Sequence, residues 1–205
     1  METSRTIGEA EAMNRSYDAQ SIAFLFDLDG TLVDSVYQHV LAWREAMQGA
    51  GIELAVWRIH RQIGMSGGLM LSAFLREIGR VLSTEEVEHI QRTHAEVYRR
   101  QAGSLHVLPG ALELLAELSA RGVPYAIATS GRLHSAQPTL KLLHLSPDVH
   151  VVTRDDVRHA KPDPDLFVAA AQRLHVPMNQ CVIVGDSVWD MLAARLAWAL
   201  AVGLL

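Results

Sequence analysis

The sequence contains one cysteine, no long hydrophobic run and no excess of basic residues, and each scarcity excludes a class of protein. Cys181 has no partner for an intrachain disulfide, which indicates a reducing compartment. No segment approaches the roughly 20 consecutive apolar residues of a membrane span, so we expect no membrane association. Residues 1–20 lack the basic start and apolar centre of a signal peptide, and we interpret them as the flexible tail of a cytoplasmic protein.

The charge balance argues against a nucleic-acid partner. The 18 lysines and arginines are outnumbered by 23 aspartates and glutamates, which gives a formal net charge of -5. With 49% hydrophobic and 20% charged residues, the composition is typical of a chain that folds around a core. Its 205 residues suit one domain, or a domain with a smaller insertion.

Short apolar runs alternate with helical patterns in two separated parts of the chain. The first run covers residues 22–26, and later runs end near Ala128, Val152 and Val184, with a last one at residues 201–204. Such alternation predicts crossover connections between parallel strands. We therefore predict an α/β fold with a Rossmann-like parallel sheet.

Between the first run and the others the pattern is helical only. Apolar residues recur every three or four positions after Val36, and Ser83 with Glu86 gives the signature of a capping box before a long helix. We predict an all-helical insertion over residues 36–104. The α/β core then consists of residues 21–35 and 105–205.

Polar side chains follow four of the predicted strands. Because the carboxyl ends of parallel strands share one edge of a sheet, we expect these side chains to converge. They are Asp27 and Asp29 after the first strand, Thr129, Ser130 and Gly131 after the second, Lys161 after the third, and Asp186 and Asp190 after the fourth.

This set of residue types suits the chemistry of a phosphate ester. A carboxylate can attack phosphorus, a second acid can protonate the leaving oxygen, and a lysine can neutralise the phosphoryl oxygens. Carboxylates are also the ligands that Mg²⁺ prefers. Structural alternatives stay open: Asp27 and Asp29 could form a turn and helix-cap cluster, and Asp190 could be a first-turn acid that favours the helix dipole.

Four segments together carry a family resemblance. They are DLDGTLVDS at residues 27–35, ATSG at 128–131, KPDPDLF at 161–167 and GDSVWD at 185–190. In this order they resemble the haloacid dehalogenase-like hydrolases, in particular the aspartate-nucleophile phosphatases. The closest resemblance is to the phosphoglycolate phosphatase and β-phosphoglucomutase group, which implies that the helical insertion is a cap domain.

The resemblance also implies roles for individual residues. Asp27 is expected to be the nucleophile and a metal ligand, Asp29 the general acid/base, and Lys161 the group that neutralises the phosphoryl oxygens. The implied substrate-binding residues are Thr129, Ser130, Gly131 and Arg132. The implied cofactor is Mg²⁺, and its ligands are Asp27, Asp29 through its backbone carbonyl, Asp186 and Asp190.

The helical insertion bears on the choice of substrate. Residues 64–70 resemble the family's loop that faces the active site, but they lack the arginine that mutases of this group tend to carry there. We therefore predict a phosphatase of a small phosphorylated metabolite, a sugar phosphate or a phosphoglycolate-like ester, acting as a monomer or dimer. The alternatives are a sugar phosphate mutase and a catalytically weak binding protein with an incomplete fold.

Two features depart from the family pattern. Trp198 stands near the end of the last predicted helix, where the family usually has a small residue, so we expect it to need a pocket or to disturb packing. Family members also continue beyond the strand at residues 201–204, which leads us to expect a truncated C-terminal end of the core.

Several aromatic residues and histidines are interpreted as structural rather than functional. Trp43 and Trp57 are expected in the core of the helical insertion. The ten histidines show no metal-ligand spacing, and although His39, His60 and His134 could line a cleft, we interpret them as surface residues.

Overall fold

The structure is a computed structural model that describes residues 22–204. The predicted tail, residues 1–20, lies outside the described residues. The strands are β1 (Ala23–Phe26), β2 (Val33–Asp34), β3 (His106–Val107), β4 (Tyr125–Ala128), β5 (His150–Val152), β6 (Cys181–Gly185) and β7 (Leu200–Gly203). The α-helices are α1 (Val36–Gly49), α2 (Val56–His60), α3 (Gly67–Glu77), α4 (Thr84–Arg100), α5 (Ala111–Ala120), α6 (Leu133–Leu142), α7 (Asp165–Arg173) and α8 (Val188–Leu196).

Five strands form a parallel sheet in the order β5-β4-β1-β6-β7, which confirms the predicted α/β class. Strand β1 is central: Leu25 pairs with Ala126 of β4 on one side and with Ile183 of β6 on the other. The strand order reverses around β1, and such a point is where ligands bind in open parallel sheets. The carboxyl ends of β1, β4 and β6 therefore meet at one edge.

Helices cover both faces of the sheet. Since side chains alternate along β1, successive residues of this strand pack against helices on opposite faces. Phe26 faces one side, where it packs in a cluster with Leu115 of α5 and Ala136 of α6. Leu25 faces the other, in a cluster with Phe167 of α7 and residues of α8. The result is a three-layer core in which the central strand is buried on both sides.

Residues 36–104, called here the helical block, contain helices α1 to α4 and a core of their own. Trp43, Met47, Phe74 and Ile90 belong to this core, as expected for Trp43. Helix α1 packs against α4. The predicted capping box is present, because Ser83 accepts from the backbone N–H of Glu86 and the Glu86 side chain accepts from the backbone N–H of Ser83. Trp57, in contrast, is 59% exposed, so its predicted burial was wrong.

A short antiparallel ribbon joins the helical block to the core. Val33 of β2 pairs with Val107 of β3, and Asp34 pairs with His106. The N–H of Leu108 also donates to the carbonyl of Leu32 at 3.0 Å. The chain thus enters and leaves the block at adjacent points, which fixes the block beside the end of β1.

Trp198 is 89% exposed and adopts a left-handed backbone with φ +57°. It therefore occupies no pocket, and the cost falls on the backbone, since left-handed conformations are unfavourable for residues with a Cβ. Strand β7 behind it is also exposed. Within residues 22–204, no helix has the length and apolar character needed to cross a membrane.

Candidate active site

Asp27 lies just beyond the end of β1 and is 4% exposed. Its backbone N–H donates to the carbonyl of Val184 at 2.9 Å, which holds it beside the end of β6. Its Oδ1 accepts from the ammonium group of Lys161, which is fully buried. The same ammonium group lies 2.7 Å from Oδ1 of Asp190. Lys161 therefore joins two carboxylates that come from separate strand ends.

Lys161, Asp27 and Asp190 form a trio whose charges lie in direct contact through the lysine. Burial raises the pKa of Asp27 well above its usual range, opposed by Lys161 and reinforced by Asp190, Asp186 and Asp29. Burial alone would lower the pKa of Lys161, but its two carboxylate neighbours outweigh burial and raise it. Lys161 is thus a permanent cation, and its single charge faces several acids.

Asp186 completes a group of three acids. Asp27, Asp186 and Asp190 each offer a carboxylate oxygen, and these oxygens lie within 4.8 Å of one another. Thr31 donates to Oδ1 of Asp186 at 3.0 Å. Gly30 has φ +92°, and a Cβ there would collide with the Asp186 carboxylate, so the turn after β1 requires glycine.

Asp190 serves two purposes at once. It occupies the third position of α8 and forms a capping box with Ser187, as the structural alternative expected. Its other oxygen, Oδ1, contacts Lys161. The helix start therefore aims this acid at the cluster rather than at solvent.

The acidic group fits a hard divalent cation. Three carboxylate oxygens at this spacing match the ligands that Mg²⁺ takes, with waters and substrate completing the shell. Burial raises the pKa of Asp186 as well, with a further contribution from Asp190. A cation placed among these acids would relieve the repulsion that one lysine leaves uncompensated.

Asp29 is held by two side chains on one oxygen. Ser35 donates to Oδ1 at 2.6 Å, and Nε2 of His39 lies 3.3 Å from the same atom. Burial would raise the pKa of Asp29, but His39 and the hydrogen bond from Ser35 outweigh burial and lower it. Asp29 and Asp27 are thus neighbouring acids whose environments push their pKa values apart.

The predicted phosphate-binding residues follow β4. Thr129 is 1% exposed, and its hydroxyl accepts from the N–H of Gly131 at 3.0 Å, so it does not cap α6. The Ser130 hydroxyl is buried and has no hydrogen-bond partner among residues 22–204. Arg132 is exposed and binds Asp155 at 2.8 Å. Thr129, Ser130 and Arg132 all line one cavity together with Asp27 and Asp29.

Two histidines of the helical block lie at the site: His94, which the sequence did not single out, and His39, whose interpretation as a surface residue was wrong. His39 of α1 contacts Asp29, and its Nδ1 lies 3.2 Å from Nε2 of His94 on α4. His94 stacks on Trp43, with ring centroids 4.0 Å apart, and His39 stacks on Tyr98 at 3.9 Å. The only available sequence signal was the spacing of four residues in His39–Trp43 and in His94–Tyr98, which places each pair on one helix face.

A cavity of about 450 Å³ separates the core from the helical block. Its core wall comprises Asp27, Asp29, Thr129, Ser130, Gly131, Arg132, His134, Ser135 and Arg154. Its block wall comprises His39, Trp43, residues 63–68, Glu88, Gln91, Arg92 and His94. His60, in contrast, stacks on Tyr37 outside the lining. The substrate loop suggested by the sequence thus does face the two aspartates.

The chain belongs to the haloacid dehalogenase-like hydrolases, whose family pattern matches residues 23–197. It is 34% identical over 166 residues to hexitol phosphatase A of Escherichia coli (strain K12), covering 80% of this chain and 74% of that protein. It is 32% identical over 170 residues to 6-phosphogluconate phosphatase of the same organism, covering 81% and 74%.

A solved structure is more similar still. A hydrolase from Pseudomonas syringae superimposes with a TM-score of 0.87 and 51% sequence identity, covering 90% of this chain and 84% of that chain. The named relatives are phosphatases, consistent with the predicted phosphoric monoester hydrolase.

Proposed function

We propose that the protein is a Mg²⁺-dependent phosphatase of phosphorylated sugars or polyols that acts through a phosphoaspartyl intermediate on Asp27. The observation that carries this proposal is the buried Lys161, which holds Asp27 and Asp190 together at the edge of a cavity. A buried lysine shared by two acids, next to an unpartnered Ser130 hydroxyl, provides positive charge and a donor for a phosphoryl group.

In the first half-reaction, a carboxylate oxygen of Asp27 forms a bond to phosphorus while the bond from phosphorus to the ester oxygen breaks. Asp29 gives a proton to that leaving oxygen. Thr129 and Ser130 would hold phosphoryl oxygens, and Lys161 would balance their charge. A bound phosphate adds negative charge beside Asp29 and raises its pKa, which favours the protonated form needed at this stage.

In the second half-reaction, water attacks phosphorus and gives a proton to Asp29. The bond between phosphorus and Asp27 breaks, which restores both carboxyl groups and releases inorganic phosphate. Asp29 can act as this base because it has already given its proton to the leaving oxygen in the first half-reaction. Mg²⁺ held by Asp27, Asp186, Asp190 and the Asp29 carbonyl would supply Lewis-acid stabilisation of the phosphoryl charge.

The helical block is proposed to act as a cap that recognises the leaving group. Its wall contributes hydrogen-bonding groups at Glu88, Gln91 and Arg92, and the cavity of about 450 Å³ lies within the size range of small-molecule sites. A phosphoglycolate-like ester would use little of this space. The names of the two relatives, which refer to a hexitol and to 6-phosphogluconate, also favour a sugar or polyol phosphate over a phosphoglycolate-like ester.

Phosphate release from a panel of sugar, polyol and glycolate phosphates tests the proposal, with Mg²⁺ and with chelator. We expect chelator-sensitive release from several sugar or polyol phosphates and none from Asp27→Asn, which keeps the side-chain size. The matched control is Asp34→Asn in the same motif but on β2, which should retain turnover. Isomerisation of a sugar phosphate without release would identify a mutase, and no reaction by a folded protein would refute the proposal.

A further inference from the structure

Four aromatic rings of the helical block, those of His39, Trp43, His94 and Tyr98, stack in pairs between two helices. His39 and Trp43 lie one turn apart on α1, and His94 and Tyr98 lie one turn apart on α4. Because α1 and α4 pack together, the rings alternate between the helices: Trp43 on His94 at an interplanar angle of 16°, and His39 on Tyr98 at 6°. Each histidine is therefore fixed by an aromatic neighbour.

The hydrogen bonds along the stack lead to Asp29. His94 is 7% exposed, and burial, with smaller contributions from His39 and His134, lowers its pKa well below the usual range, so its ring is neutral at pH 7. Nδ1 of His39 lies 3.2 Å from Nε2 of His94, so a hydrogen bond joins the rings when one of these two nitrogens carries a proton. The remaining nitrogen of His39, Nε2, points at Asp29 Oδ1.

Both contacts on Asp29 reach the same oxygen. Ser35 and His39 both lie against Oδ1, and Asp29 itself lines the cavity. Rotation of the carboxyl group would break both contacts, so its orientation depends on where the His39 ring stands. That ring is held in turn by His94 and Tyr98.

We propose that His94 is a positioning residue of this enzyme: through His39 it holds the Asp29 carboxyl group so that Oδ2 faces the leaving-group oxygen. This inference rests on the proposed function, because it assigns Asp29 the transfer of a proton to that oxygen. It leaves the proposed role of Asp27 as nucleophile unchanged. Loss of the His94 nitrogens should therefore affect proton transfer and spare the attack on phosphorus.

The test compares two esters by their kcat/KM values, which report the steps up to loss of the first product. A sugar phosphate leaves as an alkoxide that needs a proton, whereas p-nitrophenyl phosphate releases an anion that needs none. His94→Phe keeps a ring in the stack and removes the nitrogens. We expect kcat/KM for the sugar phosphate to fall about tenfold or more, and that for p-nitrophenyl phosphate to change less than about threefold.

Three comparisons give the experiment its controls. Asp29→Asn should show the same selectivity with a larger loss, and His94→Gln, which keeps hydrogen-bonding groups, should recover much of the sugar phosphate activity. His60→Phe is the matched control, because His60 also stacks on an aromatic ring, Tyr37, but lies outside the cavity. It should leave both esters unaffected. If His94→Phe does not fold, His94→Asn replaces it, since its shorter side chain cannot reach His39.

The outcomes separate the inference from the function on which it rests. Equal loss with both esters, or loss that follows a lowered melting temperature, means that His94 is only structural and overturns the inference. Unchanged kinetics in a folded His94→Phe protein overturn it too. If the wild-type protein hydrolyses neither ester, the proposed function itself is refuted.

Discussion

The core wall and the block wall of the cavity differ in what holds their polar groups. On the core wall, Asp27 is buried and ion-paired with Lys161, so one set of contacts determines both reactivity and folding. On the block wall, Glu88 and Arg92 are exposed and Gln91 is half-buried. We therefore expect changes to the core wall to affect chemistry and stability together, whereas changes to Glu88, Gln91 and Arg92 should affect substrate recognition alone.

The largest effect on stability is expected from Lys161→Met. This change leaves the carboxylates of Asp27 and Asp190 buried without their cation, which should lower the free energy of unfolding by about 3 kcal/mol or more. Turnover should be lost as well. Urea unfolding with and without Mg²⁺ measures the effect, and the divalent cation should recover part of the loss. An unchanged midpoint would show that the trio does not support the fold.

His94 of the block wall predicts a dependence of stability on pH. Because the folded pKa of His94 lies below the unfolded value near 6.5, the unfolded state binds the proton more readily. The contribution of His94 to the free energy of unfolding is complete above about pH 6.5. Below that pH it falls by up to about 1.4 kcal/mol per pH unit, and it stops falling once the pH is below the folded pKa. Urea unfolding from pH 7.5 to 5 should show a shallower slope for His94→Phe than for the wild type; identical slopes would contradict this prediction.

A smaller effect, confined to recognition, is expected from Gln91→Ala. Gln91 belongs to the block wall of the cavity, so its loss should raise KM for a sugar phosphate by up to about tenfold with little change in kcat or melting temperature. The control is Glu96→Ala on the same helix outside the cavity. A fall in kcat without a change in KM would show that Gln91 affects the chemistry, which would break the distinction between the core wall and the polar side chains of the block wall.

The smallest effect is expected outside both walls, at Trp198. Trp198→Gly relieves a left-handed backbone and removes a side chain that is 89% exposed, so the free energy of unfolding should rise by about 0.5–1 kcal/mol. Ala197→Gly, one residue earlier where φ is −80°, should instead destabilise by a similar amount. If both variants moved in the same direction, backbone conformation would not be the cause.

The elements with strong local patterns were predictable from the sequence. Strand β1 and its turn, the capping box at Ser83 and the parallel sheet follow from apolar runs and from residues with specific backbone roles. The ribbon of β2 and β3 was not predicted, because two-residue strands carry no periodic pattern. The exposure of Trp57 was missed because the helix that carries it, α2, has five residues, too few to define a buried face.

The site was predictable only where residues follow strands. Sheet topology places Asp27, Lys161 and Asp186 at one edge, and the motifs identified them. The link between His39 and His94 depends on how α1 crosses α4, and these residues lie 55 positions apart without any motif. The packing of two helices is a tertiary property, so spacing along either helix indicates a shared face but does not identify the partner.

The central claim is that Asp27 carries the phosphoryl group during turnover. The most direct test mixes the enzyme with a sugar phosphate that it hydrolyses, stops the reaction rapidly with acid and analyses the peptides by mass spectrometry. The account predicts one phosphoryl group on the peptide that contains Asp27, which forms with the wild type and not with Asp27→Asn. A phosphoryl group on another residue, or steady turnover by Asp27→Asn, would contradict it.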